Sequence, residues 1–301
     1  MILASDAILD TLGRQNRFVI APWRAVVILR RATFTLPASQ RRWSKLPREE
    51  ADVSPRLRGM VSRRQLQVLT KTPRSFQVTT PFARQEVPSP AEVILELNPY
   101  AVISHASALS FHGLSTDFPQ KITAMTPIDG KADILPFGTD LLDWEGLERP
   151  SGHAVMSVLG TRVDWQRTSM VAYFGFGLYP LGITTIRVTT PERTLVEGLR
   201  NPQLCGGIQN VLSAWSRAQW TLDVDAVIAT VDRFNTGVLR QRVGYVMEEL
   251  QLSHPALEVW RQSASRGGSS KLVAAEPYAP TYSDRWQLSL NGPMNLLASP
   301  S

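Results

Sequence analysis

Asp129-Gly130-Lys131, with Asp117 upstream, has the Asp-x-Lys form of metal-dependent nucleases. Two carboxylates and a lysine could hold Mg²⁺ and position an attacking water. Asp-Gly after a strand is also a strong turn signal, and the turn is the better reading of the two. His105 and His112 lie seven residues apart, two turns along one helix. A helical metal pair needs i, i+4 spacing, so packing, capping or partner contact suits them better than a ligand role. Ser104 suits a helix N-cap better than a nucleophile. Cys205 stands at the start of an expected helix, where a thiol pKa can fall, but a small buried apolar residue fits the Gly-rich context better. Glu192 and Arg193 follow Pro191 at another helix start, where a glutamate favours the dipole and needs no catalytic role. The set Asp140, Asp143, Glu145 and Glu148 has the character of a solvated acidic loop.

The motifs of the common hydrolases and nucleotide-binding enzymes are missing. There is no Gly-x-Ser-x-Gly elbow, Walker A loop, Gly-x-Gly-x-x-Gly fingerprint or His-Glu-x-x-His helix. A single cysteine excludes an intramolecular disulfide framework and a multi-cysteine zinc site. The expectation is therefore a protein that is not an enzyme and needs no cofactor or metal. Apolar residues make up 43% of the 301, enough for a real core and about two domains. No apolar run reaches membrane-spanning length, so no membrane partner is expected and the location expected is cytoplasmic.

The net charge of +6 is uneven. Residues 1–90 carry sixteen Lys and Arg against six Asp and Glu, a net of +10, and fourteen of the sixteen are arginine. Residues 91–301 are net −4. Arginine binds phosphates and guanine edges bidentately, so a basic first third points to double-stranded DNA as a partner.

The elements that would position those arginines follow from caps and periodicity. Ser5 is placed to cap a first helix carrying Ile8, Leu9 and Leu12. Residues 18–50 are irregular, with a possible short helix over 41–50. Ser54-Pro55 reads as an N-cap with proline at the first helical position. Leu57, Met60 and Val61 then share one face and Arg56, Gly59 and Arg63 another. Two alternating runs around Lys71-Thr-Pro-Arg74 predict a hairpin. A basic helix followed by a basic-tipped hairpin is the pattern of a winged helix-turn-helix. Arg56, Ser62 and Arg63 are the expected DNA contacts on this helix, with Lys71 and Arg74 at the wing tip and Arg41, Arg42 and Arg58 as phosphate contacts; the spacing does not say which of them read bases.

Prolines 81, 88 and 90 mark a boundary near residue 85, dividing the chain into 1–85 and 86–301. Ser89-Pro90-Ala91-Glu92 is a capping box, with Val93, Ile94 and Leu97 as its buried stripe. Ser104 caps a second helix that Gly113 stops. Strands are expected at 121–126, 154–159, 171–178 and 183–189. Thr190-Pro191 opens a further helix, others follow at 204–218, 223–234 and 238–250, and strands close the chain at 271–276 and 285–291. The class is α+β, with a winged helix-turn-helix ahead of a mixed α/β domain.

Two segments carry a family resemblance. Tyr100 to Leu114, containing Ser104, His105, Ser107, His112 and Gly113, resembles the opening helix of the effector domain of AbiEi-type antitoxins. Val188 to Leu199, containing Pro191, Glu192 and Arg193, followed by Cys205-Gly-Gly207, is similar to that family's Thr-Pro-Glu-Arg-Thr segment. The strand 121–127 and the regions 240–250 and 284–291 resemble the family more loosely. Residues 14–50 are longer and richer in arginine than its pattern. The resemblance implies a winged helix that binds inverted repeats in its own promoter and represses it. It implies an effector domain that counteracts a neighbouring nucleotidyltransferase-like toxin without needing a stable complex. Such a pair is a type IV toxin–antitoxin system, used in abortive infection and phage defence. An antitoxin acting through its C-terminal domain without operator binding is the alternative, beside the magnesium-dependent nuclease.

Overall fold

Helix boundaries in the first hundred residues are set by caps that often lie a few residues from where spacing alone puts them. The computed structural model describes residues 1–80, 87–128, 134–267 and 270–297. Helix α1 (Ala4–Arg14) starts after Leu3, not Ser5, and Asp6 accepts the Leu3 N–H at 3.3 Å. It buries Ile8 and Leu12 completely. Strand β1 (Val19–Ile20) is only two residues long. Helix α2 (Pro22–Thr35) follows directly, with proline at its first position, where a missing N–H costs nothing. It is buried along Pro22–Arg30, which is why its apolar residues show no helical period.

The expected helix over 41–50 is absent; the only helical turn of that connection is a 3-10 turn at Ala38–Gln40. Helix α3 (Glu50–Ser62) begins four residues before the expected Ser54 cap. Asp52 is the reason: its Oδ2 accepts the backbone N–H groups of Arg48 at 2.8 Å and Glu49 at 3.4 Å. Ser54 instead lies inside the helix and donates its hydroxyl to the Glu50 carbonyl. The hairpin forms as expected, from β2 (Leu66–Lys71) and β3 (Arg74–Val78) around a cis Thr72-Pro73 turn. The two-residue β1 joins it, giving an antiparallel sheet in the order β1-β3-β2 with Ile20 opposite Phe76.

Helix α4 (Pro90–Leu97) carries the expected capping box: Ser89 and Glu92 exchange backbone N–H bonds at 3.2 and 2.8 Å. Then come β4 (Val102–Ile103), α5 (His105–Phe111), β5 (Lys121–Pro127), β6 (Ser157–Val158) and β7 (Thr161–Thr168). Strands β8 (Phe176–Leu181) and β9 (Thr184–Thr189) complete a six-stranded sheet in the order β6-β7-β5-β4-β9-β8. β4 runs antiparallel to β5 and parallel to β9. Residues 171–178 are not one strand: a 3-10 turn occupies Met170–Ala172, and Gly175 turns the chain at φ +64° before β8.

Helices α6 (Pro191–Arg200), α7 (Ile208–Ala218), α8 (Val224–Phe234), α9 (Gly237–Glu249) and α10 (Pro255–Gln262) follow. The strand expected at 271–276 does not form, Lys271 making only an isolated bridge. β10 (Tyr282–Ser283) pairs with β11 (Leu288–Ser289), to which the strand expected at 285–291 shrinks. The fold is therefore mixed α and β.

Contacts divide the chain into two units. The first is Met1–Ala101, Thr126–Trp165 and Leu178–Arg187; the second is Val102–Met125, Gln166–Gly177 and Val188–Ser301. This division differs from a cut near residue 85, because strand partners come from distant segments. The first unit's core joins α1, α2, α3 and the small sheet through Ile8, Leu12, Leu29, Leu57 and Met60. Each such side chain contributes about 1.5–3 kcal/mol of burial. The second unit's core gathers α6 to α10 around Trp215 and Trp286. Gly244 lets Trp286 cross α9: a Cβ there would fall 2.2 Å from the indole ring.

Candidate nucleic-acid interface

Two sets of arginines stand out in the first unit. Those of α2 are tied into the structure. Arg24 is 3% exposed and its Nε reaches the Glu96 carboxylate at 2.7 and 2.9 Å. The same carboxylate accepts the Ala21 N–H at 2.8 Å. Arg30 donates to the carbonyls of Pro47 and Glu145 at 3.1 and 2.8 Å. Arg31 grips Asp143 bidentately at 2.6 and 2.5 Å, and this bond raises its pKa. Asp143 is thus a buried partner of Arg31, not part of a solvated loop.

The second set runs from the α2–α3 connection to the hairpin tip. On α3, Val53, Leu57 and Met60 face inward. Ala51, Pro55, Arg58 and Ser62 recur at four- and three-residue steps and are all exposed, forming the outward stripe. Arg58 stands at its middle. Ser62 donates to the Arg58 carbonyl at 3.2 Å and remains exposed. Arg56 is half-buried on the flank and donates to the Asp52 carbonyl at 2.5 Å. Arg63, just past the helix, is exposed and donates to Gln65 at 3.2 Å. At the hairpin tip Lys71 pairs with Arg74, both exposed. Phe76 and Val78 anchor the hairpin in the core.

Arg42 is exposed, whereas Arg41 folds back, donates to the Trp43 carbonyl at 2.5 Å and lies 6.0 Å from the Trp43 ring centre. Spacing alone missed two further exposed arginines beside this surface, Arg48 and Arg64. Arg64 holds φ +56° immediately after α3, so it belongs to the turn that aims the hairpin. The signal for both was present: each flanks an end of the helix. Five expected residues, Arg58, Ser62, Arg63, Lys71 and Arg74, thus lie exposed on α3 or the segment that follows it. Arg56 and Arg41 are partly engaged within the fold.

The residues of the two segments around Ser104 and Pro191 are mostly inward. Ser104 is buried at the N-cap of α5 but caps with no side-chain bond; its hydroxyl lies 2.9 Å from His105 Nδ1. His105 is itself buried and holds φ +51°. Ser107 accepts the Thr123 N–H at 2.9 Å. His112 Nε2 donates to the Thr189 carbonyl at 2.7 Å, and burial lowers its pKa. Gly113 takes φ +69° and stops the helix. Pro191 is the first residue of α6, capped by Thr190, and Glu192 lies in its first turn.

Arg193 is fully buried, its guanidinium 4.2 Å from the centre of Phe174 and 4.1 Å from that of Phe234. It pairs with Glu197 at 2.6 Å, and burial lowers its pKa. Cys205 is fully buried in the second unit's core, and desolvation pushes its thiol well above its ordinary pKa, which suits a packing residue. Asp129 and Lys131 lie outside the described residues; Asp117 is exposed. Among the described residues no group of three His, Cys, Asp or Glu could hold a metal, and no helix is long and apolar enough to cross a membrane.

No family model matches the chain, and no curated protein matches it. Among solved structures the chain is similar to that of the RV2827C protein from Mycobacterium tuberculosis. The identity is 16% and the TM-score 0.49, over 95% of this chain and 90% of that one.

Proposed function

We propose that the first unit binds double-stranded DNA, with α3 in the major groove and the β2–β3 hairpin on the adjoining backbone. The observation that carries this is the run of exposed basic side chains, Arg42, Arg48, Arg58, Arg63, Arg64, Lys71 and Arg74, on one stretch of chain. The order α1-β1-α2-α3-β2-β3 with sheet order β1-β3-β2 supports a winged helix-turn-helix. Arg58 and Ser62 then face the bases, and the basic residues around them hold phosphates.

The AbiEi-like segments extend the reading to an autorepressor and antitoxin of a type IV toxin–antitoxin system. It binds inverted repeats in its own promoter and counteracts a neighbouring nucleotidyltransferase-like toxin.

Fluorescence anisotropy of the full chain on the DNA upstream of its own gene, from 50 to 300 mM salt, tests the first step. With about four to six neutralised phosphates, log K falls against log salt with a slope of about −4 to −5. A scrambled duplex competes poorly. A flat salt response overturns the reading.

A further inference from the structure

The pocket beside the start of β1 is lined by a guanidinium that makes no direct ion pair among the described residues. It encloses about 310 Å³, and Arg17 lines it together with Phe18, Val19, Leu95, Phe137 and Glu92. Among the described residues Arg17 makes no direct ion pair and no side-chain hydrogen bond, and none of its guanidinium nitrogens is fully buried. Its neighbour Arg24 is already satisfied by Glu96. The Arg17 guanidinium lies 4.9 Å from the Phe137 ring centre, and Arg187 lies 5.3 Å from the same ring. Gly138, at φ +76°, makes room for it: a Cβ there would fall 2.6 Å from Arg17 Nη2. Burial first, then Arg24, hold the Arg17 pKa below the ordinary arginine value. A half-buried guanidinium whose donors make no hydrogen bond among the described residues can offer them to a bound anion.

We propose that this pocket binds a small organic monocarboxylate, its carboxylate on Arg17 and its apolar body against Phe18, Val19 and Leu95. A planar guanidinium fork matches a carboxylate bidentately. Arg17 supplies one positive charge whose donors bond nothing among the described residues, which suits one carboxylate. Glu92 and Glu96 line the same pocket and would oppose the second charge of a phosphate dianion. The volume lies at the small end of ligand pockets, which favours an acid of about six carbons. The proposal does not depend on DNA binding.

Thermal unfolding of the full chain with sodium hexanoate, hexanol or inorganic phosphate at matched ionic strength tests it. Hexanoate raises Tm in a concentration-dependent way, while hexanol and phosphate do not. Arg17→Met weakens the hexanoate response at least about tenfold. The same variant, without ligand, melts close to the parent, because Arg17 gives up no ion pair and no side-chain hydrogen bond among the described residues. Leu178, exposed at the pocket rim, gives a second variant. Leu178→Glu lowers the hexanoate response with an unchanged ligand-free Tm, since it adds a like charge at the mouth. No hexanoate response, an equal response in Arg17→Met or Leu178→Glu, or a response to phosphate alone overturns the assignment.

Discussion

Helix α2 and the α3–hairpin segment both carry several arginines, and they differ in where the guanidinium donors point. In α2, Arg24, Arg30 and Arg31 all bond to groups of the protein itself, and the carboxylates that neutralise two of them are Glu96 and Asp143. Both carboxylates lie beyond residue 90. The surplus of +10 counted over residues 1–90 therefore includes charge that is already cancelled in the fold. Among the described residues of that stretch, and apart from Arg17 in its pocket, the exposed arginines that pair with no carboxylate gather on residues 42–74. A charge count along a sequence thus overstates the basic surface and blurs its position; the folded partners decide which arginines can meet a phosphate.

The largest effect expected from this contrast belongs to the buried set. Glu96→Gln leaves Arg24 charged at 3% exposure without its counter-ion, and about 3–5 kcal/mol of stability is lost in denaturant unfolding. Replacing both residues with methionine recovers most of that loss. The remainder is about 1–3 kcal/mol, because the Ala21 N–H loses its acceptor. A loss under about 1 kcal/mol in Glu96→Gln would place Arg24 with the surface arginines and dissolve the contrast.

The exposed set makes the opposite prediction. Arg58→Ala weakens binding to the upstream DNA by about 1–3 kcal/mol where the side chain reads a base. Its unfolding free energy stays within about 0.5 kcal/mol of the parent, since Arg58 is exposed on the outward stripe. Arg30→Ala inverts the pattern, losing stability through the freed carbonyls of Pro47 and Glu145. An Arg58→Ala chain that binds DNA as well as the parent would move the interface off the α3 stripe.

Local chemistry made some of these elements legible. The α4 capping box, the Thr190-Pro191 start of α6, the α9 period and the Lys71–Arg74 hairpin follow from residues within a turn of one another. What stayed hidden depends on distant partners. Helix α2 is buried along its first nine residues, so no amphipathic period marks it, and the Arg24 that breaks its apolar run is matched by Glu96 far along the chain. Strand β7, Thr-Arg-Val-Asp-Trp-Gln-Arg-Thr, shows too few apolar residues to signal a strand, yet it is held within a six-stranded sheet. The basic interface was legible as residue types. Which arginines face outward was not, because Arg41 and Arg56 are drawn aside by Trp43 and Asp52 through bonds that spacing does not encode.

The smallest effect concerns how α3 is started, since the outward stripe depends on its phase. Asp52 accepts two backbone N–H groups and pairs with Lys45, the latter bond being the main cause that lowers its pKa from 3.8 to about 2. Asp52→Ala costs about 1 kcal/mol at neutral pH, the usual worth of a helix cap. It weakens DNA binding less than Arg58→Ala does, because it frays the helix start without removing a contact. The sign of the pH dependence follows from the lowered pKa. The carboxylate's stabilisation is complete above about pH 4 and is lost as the pH falls through about 2. Unfolding curves of the parent and Asp52→Ala therefore converge over that interval. Curves that stay parallel from pH 7 to pH 2 would show that the carboxylate does not start α3. The phase of the stripe would then rest on the packing of Val53, Leu57 and Met60 alone, and the exposed arginines would owe their position to the same core that buries those of α2.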